Sequence, residues 1–341
     1  MAADAATAIA LTERSYDFQE PEDSWLRRLL ETGLPLLNQG HGVVGVAYVS
    51  NAPGTVGVAR VDVVAGPADF AEHKRRLMAE APAEMLQALT HPGIVGTVSK
   101  VLRKVEGGIA LWHKHFHWMP DALGLTAMDP DGQGIVIVAG RSSIGSLGAS
   151  EQRLWRRVSV HFSAGHRIRR GLTGKAQSEL PLDSEAVIDP KSFEVTDAIG
   201  SAQATRAADK LRLAARQIDQ ARSRLRRTDP ERALEIWRGL VDGRWSLIDW
   251  FDTDGRRYVV ARPNSPALGD PRGLTEREHQ VATYAALGES NKLIGYRLGL
   301  APSTVSEQLA AAMRKLGVAS QMQLIQKVRG FVAGPGAARL H

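Results

Sequence analysis

Residues 273–328 read GLTEREHQVATYAALGESNKLIGYRLGLAPSTVSEQLAAAMRKLGVASQMQLIQKV. Thr275 followed three residues later by Glu278 is a capping box, and Val281, Tyr284, Ala285 and Leu287 then supply an apolar stripe that Gly288 ends. Ser290 caps a second helix, with Leu293, Ile294 and Leu298 turned inward and Gly299 as its stop. Pro302, at a first helical position, opens a third helix through Val305, Leu309, Met313 and Leu316, closed by Gly317. Ser320 and Gln323 form a further capping box for a fourth helix with Leu324, Ile325 and Val328 on its apolar face. Caps and stripes are complete within the window, so residues 273–330 are expected to form an independent all-α unit of four helices.

Two short helices joined by the tight turn Gly299-Leu300-Ala301 have the geometry of a helix-turn-helix, whose second member lies in the DNA major groove. Leu274-Thr275, Arg277-Glu278, Gly288, Ser290-Asn291-Lys292, Ile294, Leu298-Gly299, Ser303-Thr304-Val305, Leu309 and Lys315-Leu316-Gly317-Val318 stand at the spacings of the LuxR or FixJ helix-turn-helix family, which this segment resembles. The resemblance implies a transcription regulator whose partner is double-stranded DNA. It implies that Lys292 and Thr304 hold the phosphate backbone and that Val305, Ser306, Glu307 and Ala310 face base edges. Arg297, Ser303, Arg314 and Lys315 complete the expected contact set, and Lys327 and Arg329 are further cations nearby.

The segment also departs from that pattern. Where the family carries Lys or Arg and a His at the first outward positions of the recognition helix, this chain has Ser306, Glu307, Gln308 and Ala310. Duplex affinity depends on counterions displaced by basic side chains, so affinity and its salt dependence should both be reduced. Ala301 replaces the usual Ser or Thr cap, at a cost of about 1 kcal/mol.

The rest of the chain reads as an α+β sensor region. An amphipathic helix through Trp25, Leu26, Leu29 and Leu30 precedes an antiparallel hairpin, 43–50 and 55–64, turned at Asn51, Pro53 and Gly54. Helices at 70–79 and 83–89 follow, then a second hairpin, 123–129 and 134–139, turned at Pro130-Asp131-Gly132. A helix from about Ser150, with Leu154, Val158, Phe162 and His166 near one face, closes a first domain of residues 1–170. An antiparallel sheet with flanking helices resembles a GAF or PAS sensor domain. After a Gly/Ser/Pro-bearing linker at 171–181, residues 182–262 hold a hairpin at 186–189 and 192–195, a long helix over 201–227, a shorter one over 231–241, and strands at 245–251 and 257–262. These strands form a second PAS-like sheet or complete the first. Residues 263–272 are turn-rich and read as an interdomain linker.

Composition narrows the function. The chain has no cysteine, which removes disulfides and thiolate metal sites and suits a reducing cytosol. Its apolar runs are of strand length, far below the roughly 20 residues of a membrane span, and no signal peptide opens it, so a cytoplasmic location is expected. A net charge of +6 favours an anionic partner only weakly. No GxxxxGK[ST] loop, receiver-type acidic pocket or nucleophile–base set is present, so the expected function is non-enzymatic and without a cofactor.

Two features remain. His113, His115 and His117 alternate, and on an extended segment they would share one side as nitrogen ligands; an aromatic loop or edge strand is the plainer reading, and no metal site is assigned. The helix over 201–227 carries Arg206, Lys210, Arg212, Arg216, Arg222, Arg224, Arg226 and Arg227 beside an apolar seam of Ala204, Ala208, Leu211, Ala215, Ile218 and Leu225. The seam suits burial within one protomer or in a homodimer, the dimer slightly favoured, and the arginines suit a solvated face. The expected regulator is thus a dimer whose N-terminal region responds to a small-molecule or protein effector. The alternative is a protein-interaction regulator that keeps the helix-turn-helix fold and binds DNA weakly or not at all.

Overall fold

The computed structural model describes residues 2–52, 55–90, 95–128, 133–172, 184–237, 240–241, 245–251, 255–263 and 274–332. The expected turns at 53–54 and 130–132, and all but the edges of the two linkers, lie outside the described residues. The first unit runs α1 (Ala2–Ser15), α2 (Glu22–Leu37), β1 (Val43–Ala52), β2 (Thr55–Val64), α3 (Phe70–Glu80), α4 (Ala83–Thr90), β3 (Val95–Thr97), α5 (Val98–Leu102), α6 (Gly108–His115), β4 (Asp121–Met128), β5 (Gln133–Arg141) and α7 (Ala149–Leu172). Its strands pair in the order β2-β1-β5-β4-β3, every ladder antiparallel. Successive side chains of a strand point to opposite faces. Val43, Leu123, Leu125, Ile135 and Ile137 therefore join one core with α1, α2 and α7, while Val44, Val46, Tyr48, Val136 and Val138 join another with residues of α3 and α6. The unbroken apolar run of β5 reflects this burial on both faces.

The second unit runs β6 (Ala186–Ile188), β7 (Val195–Ala198), a 3-10 turn (Gly200–Gln203), α8 (Thr205–Arg222), α9 (Arg224–Thr228), α10 (Pro230–Ile236), β8 (Leu240–Val241), β9 (Trp245–Phe251) and β10 (Arg257–Pro263). It forms a sheet of its own, in the order β7-β6-β10-β9-β8. Counted within each unit, both sheets have the order 2-1-5-4-3, with helices inserted between the second and third strands.

Several sequence expectations change, among them the helix over 231–241, which ends at Ile236 and is followed by strand β8 at Leu240–Val241. The single helix over 201–227 begins at Thr205 and breaks at Ser223, whose φ of −89° and ψ of −114° leave the helical region. Of its expected seam, Leu211, Ala215 and Ile218 are buried, together with Ala207, Ala214 and Ala221, in the core shared with Val260 and Leu247, and Leu225 packs against that core, so this part is not an open dimer face; Ala208 is half-buried and Ala204 exposed. Several of its arginines are also engaged, Arg222 with Asp249 and Arg226 with Glu13 of α1. The first hairpin of this unit turns later than expected, because the Asp189 carboxylate accepts from the amides of Lys191 and Ser192 and delays β7 to Val195. Finally, His113 and His115 lie on helix α6 rather than on a strand. His113 meets the Pro120 carbonyl and His115 lies against Glu80, so the three histidines do not share one side.

Helix α1, whose alanine-rich sequence carries little periodicity, packs against α2, α7 and α10 and so joins the two units. The buried hydroxyls of Thr12 and Ser15 donate to the carbonyls of Ala8 and Leu11, which removes the cost of burying them. The approach to α7 is close because residue 165 is glycine: a Cβ there would lie 2.1 Å from the Ser15 carbonyl oxygen. Gly165→Val is expected to force the two helices apart and lower stability by about 1–3 kcal/mol, read as a shifted urea midpoint. An unchanged midpoint would show that this crossing does not hold the units together.

Candidate nucleic-acid interface

The C-terminal unit consists of α11 (Glu276–Ala286), α12 (Asn291–Leu298), α13 (Pro302–Leu316) and α14 (Gln321–Val332). Its capping box is complete: Thr275 Oγ1 accepts from the Glu278 amide at 3.2 Å, and Glu278 Oε2 accepts from the Thr275 amide at 2.8 Å. The same carboxylate receives Lys315 Nζ at 2.7 Å, tying the start of α11 to the end of α13. Burial pushes the Glu278 carboxyl up, but the hydrogen bonds from Lys315 and Thr275 outweigh it and hold the group below the ordinary range. Ser290 caps α12, and Gly299 closes it at φ +70°. Gly295 lets the turn pass close by, since a Cβ there would lie 2.6 Å from the Leu300 carbonyl oxygen. Ala301 offers α13 no side-chain cap, and Pro302 starts that helix as its fixed φ allows.

Helix α13 packs on α11, α12 and α14 through Val305, Ala312 and Leu316. Its outward stripe is Ser303, Ser306, Glu307, Ala310 and Arg314, all exposed, with Thr304 half-buried beside it. Asn291 Nδ2 donates to Ser306 Oγ at 3.0 Å, and Lys292 is exposed at the start of α12. Two residues read from the sequence as DNA contacts are not on this surface. Val305 is fully buried because its position belongs to the apolar stripe. Arg297 is 4% exposed: its guanidinium grips Glu289 at 2.7 and 3.2 Å, donates to Ser163 Oγ of α7 at 2.9 Å, and lies 4.5 Å from the Tyr284 ring centroid. Lys315 is exposed but paired with Glu278. The side chains of Lys327 and Arg329 lie outside the described residues.

Sequence reasoning missed the other side of α12, which docks on α7 and β8. Tyr296 Oη donates to the Leu234 carbonyl at 3.1 Å, so it must accept from His161 Nε2 at 2.9 Å. His161 Nδ1 then accepts from the Tyr16 hydroxyl at 3.0 Å. One neutral tautomer satisfies the whole chain, which runs from α1 through α7 to α12. Burial, aided by the nearby Arg297 guanidinium, lowers the His161 pKa to about 3. The signal in the sequence was the uncharged run from Val158 to Gly165 inside an otherwise arginine-rich helix.

A histidine whose folded pKa lies below its unfolded value of about 6.5 contributes stability that is whole above that value and is lost as pH falls toward the folded pKa. The thermal midpoint is therefore expected to fall from pH 6.5 to 4 more steeply in the parent chain than in His161→Gln. Parallel profiles would contradict the buried neutral imidazole. Tyr296→Phe should leave His161 Nε2–H without its acceptor and speed hydrogen exchange in α12; unchanged exchange would rule out the contact.

Comparison with known proteins agrees with this geometry. Residues 272–328 match the model of bacterial regulatory proteins of the luxR family. The transcriptional regulatory protein UhpA of Escherichia coli (strain K12) is 42% identical over 62 residues, which cover 18% of this chain and 32% of that protein. The match thus spans about a third of the relative and is confined to one end of this chain. Residues 272–328 are a LuxR-family helix-turn-helix domain.

Proposed function

We propose that the chain is a sequence-specific DNA-binding transcription regulator of the cytoplasm. In this reading residues 273–330 hold the duplex, and the α+β residues 1–170 and 182–262 sense an effector and control them. The observation that carries the reading is the division of labour within the helix-turn-helix: the outer stripe of α13 is exposed, while the inner side of α12 is engaged with α7. Ser303, Ser306, Glu307 and Ala310 meet base edges, and Lys292, Thr304 and Arg314 position the phosphates. The antiparallel sheets with flanking helices support a GAF- or PAS-like sensor, twice over. Two-fold related copies match the symmetry of a duplex with inverted half-sites. With the α8 seam already filled, the dimer forms through another surface.

The second reading, a protein-interaction regulator with weak or no DNA binding, is favoured by one observation. The exposed stripe of α13 carries Glu307 against Arg314, so its own side chains bring no net positive charge to the phosphate field.

Genome-wide binding of the tagged chain is expected to give discrete promoter peaks; their absence together with a stable protein partner would favour the second reading. In titrations on a cognate and a scrambled duplex at two salt concentrations, Glu307→Ala is expected to strengthen binding to both, since the carboxylate acts mainly as a repulsive charge. A loss of about 1–3 kcal/mol on the cognate duplex alone would instead show that Glu307 reads a base. Sedimentation is expected to show a dimer at micromolar concentration, and a monomer with and without DNA would overturn the symmetric model.

A further inference from the structure

The first sheet holds an unfilled slot on the face covered by α3 to α6. It contains about 770 Å³ of space between wall atoms and the solvent at its mouth, of which only about 50 Å³ is wide enough to hold the centre of a water molecule. The slot is therefore narrow. Its walls are almost wholly apolar, among them Val136 and Phe116. Part of its floor is a cross-strand pair of glycines, Gly96 of β3 opposite Gly124 of β4. A Cβ at Gly96 would meet nothing within 4 Å, and one at Gly124 would meet only the Gly96 carbonyl oxygen, at 3.7 Å. Neither glycine has the positive φ that would demand glycine for the backbone. What their missing side chains provide is room, as where a ligand approaches a strand closely.

Besides the Tyr48 hydroxyl, two polar groups break the apolar lining. Lys74 of α3 is half-buried and has no ion pair or hydrogen bond among the described residues, and desolvation lowers its ammonium to about 8, so it still carries its charge at neutral pH. Trp112 of α6 is 5% exposed, and its indole N–H has no acceptor among the described residues. An unpaired cation and an unsatisfied donor are costly in an apolar setting, and an anion with acceptor oxygens seated against either group offsets that group's cost. The corresponding second unit shows the contrast. There α8 covers the sheet with Leu211, Ala215 and Ile218, and no glycine pair faces inward among the described residues.

We propose that this slot is the effector site of the sensor region and takes a slim apolar carboxylic acid, its chain lying over Gly96 and Gly124 and its carboxylate meeting Lys74. The proposal rests on reading the N-terminal unit as a sensor, but its test needs no DNA. Octanoate, octan-1-ol and octylamine are titrated into the full chain by calorimetry, with the parent, Lys74→Met and Gly124→Val compared. Lys74→Met keeps the stem and removes the charge, and Gly124→Val fills the slot from its floor without touching the lysine. Octanoate is expected to bind the parent at least tenfold more tightly than the alcohol, and octylamine not at all. Lys74→Met should erase that preference and leave the alcohol unchanged, while Gly124→Val, folded by its circular dichroism and thermal midpoint, should lose both. Equal binding of acid and alcohol, retention of the preference in Lys74→Met, or no binding by any of the three probes overturns the proposal. A chain that binds octanoate but no promoter would leave this site standing and remove the transcriptional reading instead.

Discussion

Eight successive residues of α7, Val158 to Gly165, are buried, so this stretch of helix has no solvent face. A helix in that position must satisfy a different neighbour on each side. Val158 and Phe162 join the core of the first sheet, Gly165 admits α1, His161 meets Tyr16 and Tyr296, and Ser163 receives Arg297. The first unit, the second unit through α1 and α10, and the helix-turn-helix through α12 all converge on this one element. The polar members are few: His161 and Ser163 are partnered, while the buried Ser159 hydroxyl has no hydrogen-bond partner among the described residues. The Ser163 hydroxyl donates to the Val160 carbonyl while accepting from Arg297, and the Arg297–Glu289 pair is bidentate. Removing one partner of such a buried pair costs about 3–5 kcal/mol, because the other charge is left in a dry site. The docked arrangement is consequently specific: α12 has one seat, and α13 faces away from it.

Two units with the same strand order are covered differently. In the second, α8 lies on the sheet and packs it shut with alanines, leucine and isoleucine. In the first, shorter helices span the same kind of face and leave a slot above paired glycines. Closing one sheet and leaving the other open gives a rigid base beside a unit with room for a guest. The shared helix α1 joins them, with Arg226 of α9 paired to its Glu13 and Tyr16, just past its end, bonded to His161. A change in the first unit that moved α7 would therefore be felt at α12 without passing through a linker.

Local chemistry was legible in the sequence and tertiary chemistry was not. Thr275 with Glu278, Ser290, Gly299, Pro302 and Gly317 placed the first three C-terminal helices, because caps act within four residues of the atoms they satisfy. The strand at 245–251 fell within its expected bounds. The break at Ser223 and the late start of β7 escaped notice, since one depends on where α9 must go and the other on a single Asp189 carboxylate. Helix α1 escaped because alanine-rich sequence carries little periodicity. Arg297 was misplaced for a plainer reason: a basic residue on the first helix of a helix-turn-helix suggests phosphate, whereas it pairs with Glu289, eight residues before it, and with Ser163, 134 residues away. Val305 shows the same error in reverse, a core position read as a base contact through resemblance when its own apolar spacing already placed it inside.

The central claim is that the outward stripe of α13 recognises DNA in the intact chain. Selection of duplexes from a random pool by the full-length protein at near-physiological salt tests it directly, because no target has to be chosen in advance. The expected result is convergence on a recurrent sequence, and loss of that convergence when Ser303 and Ala310 are replaced together by Glu, which makes the exposed stripe negative and leaves the core untouched. A pool that stays random with the parent chain, or a motif enriched equally by the substituted chain, would contradict it.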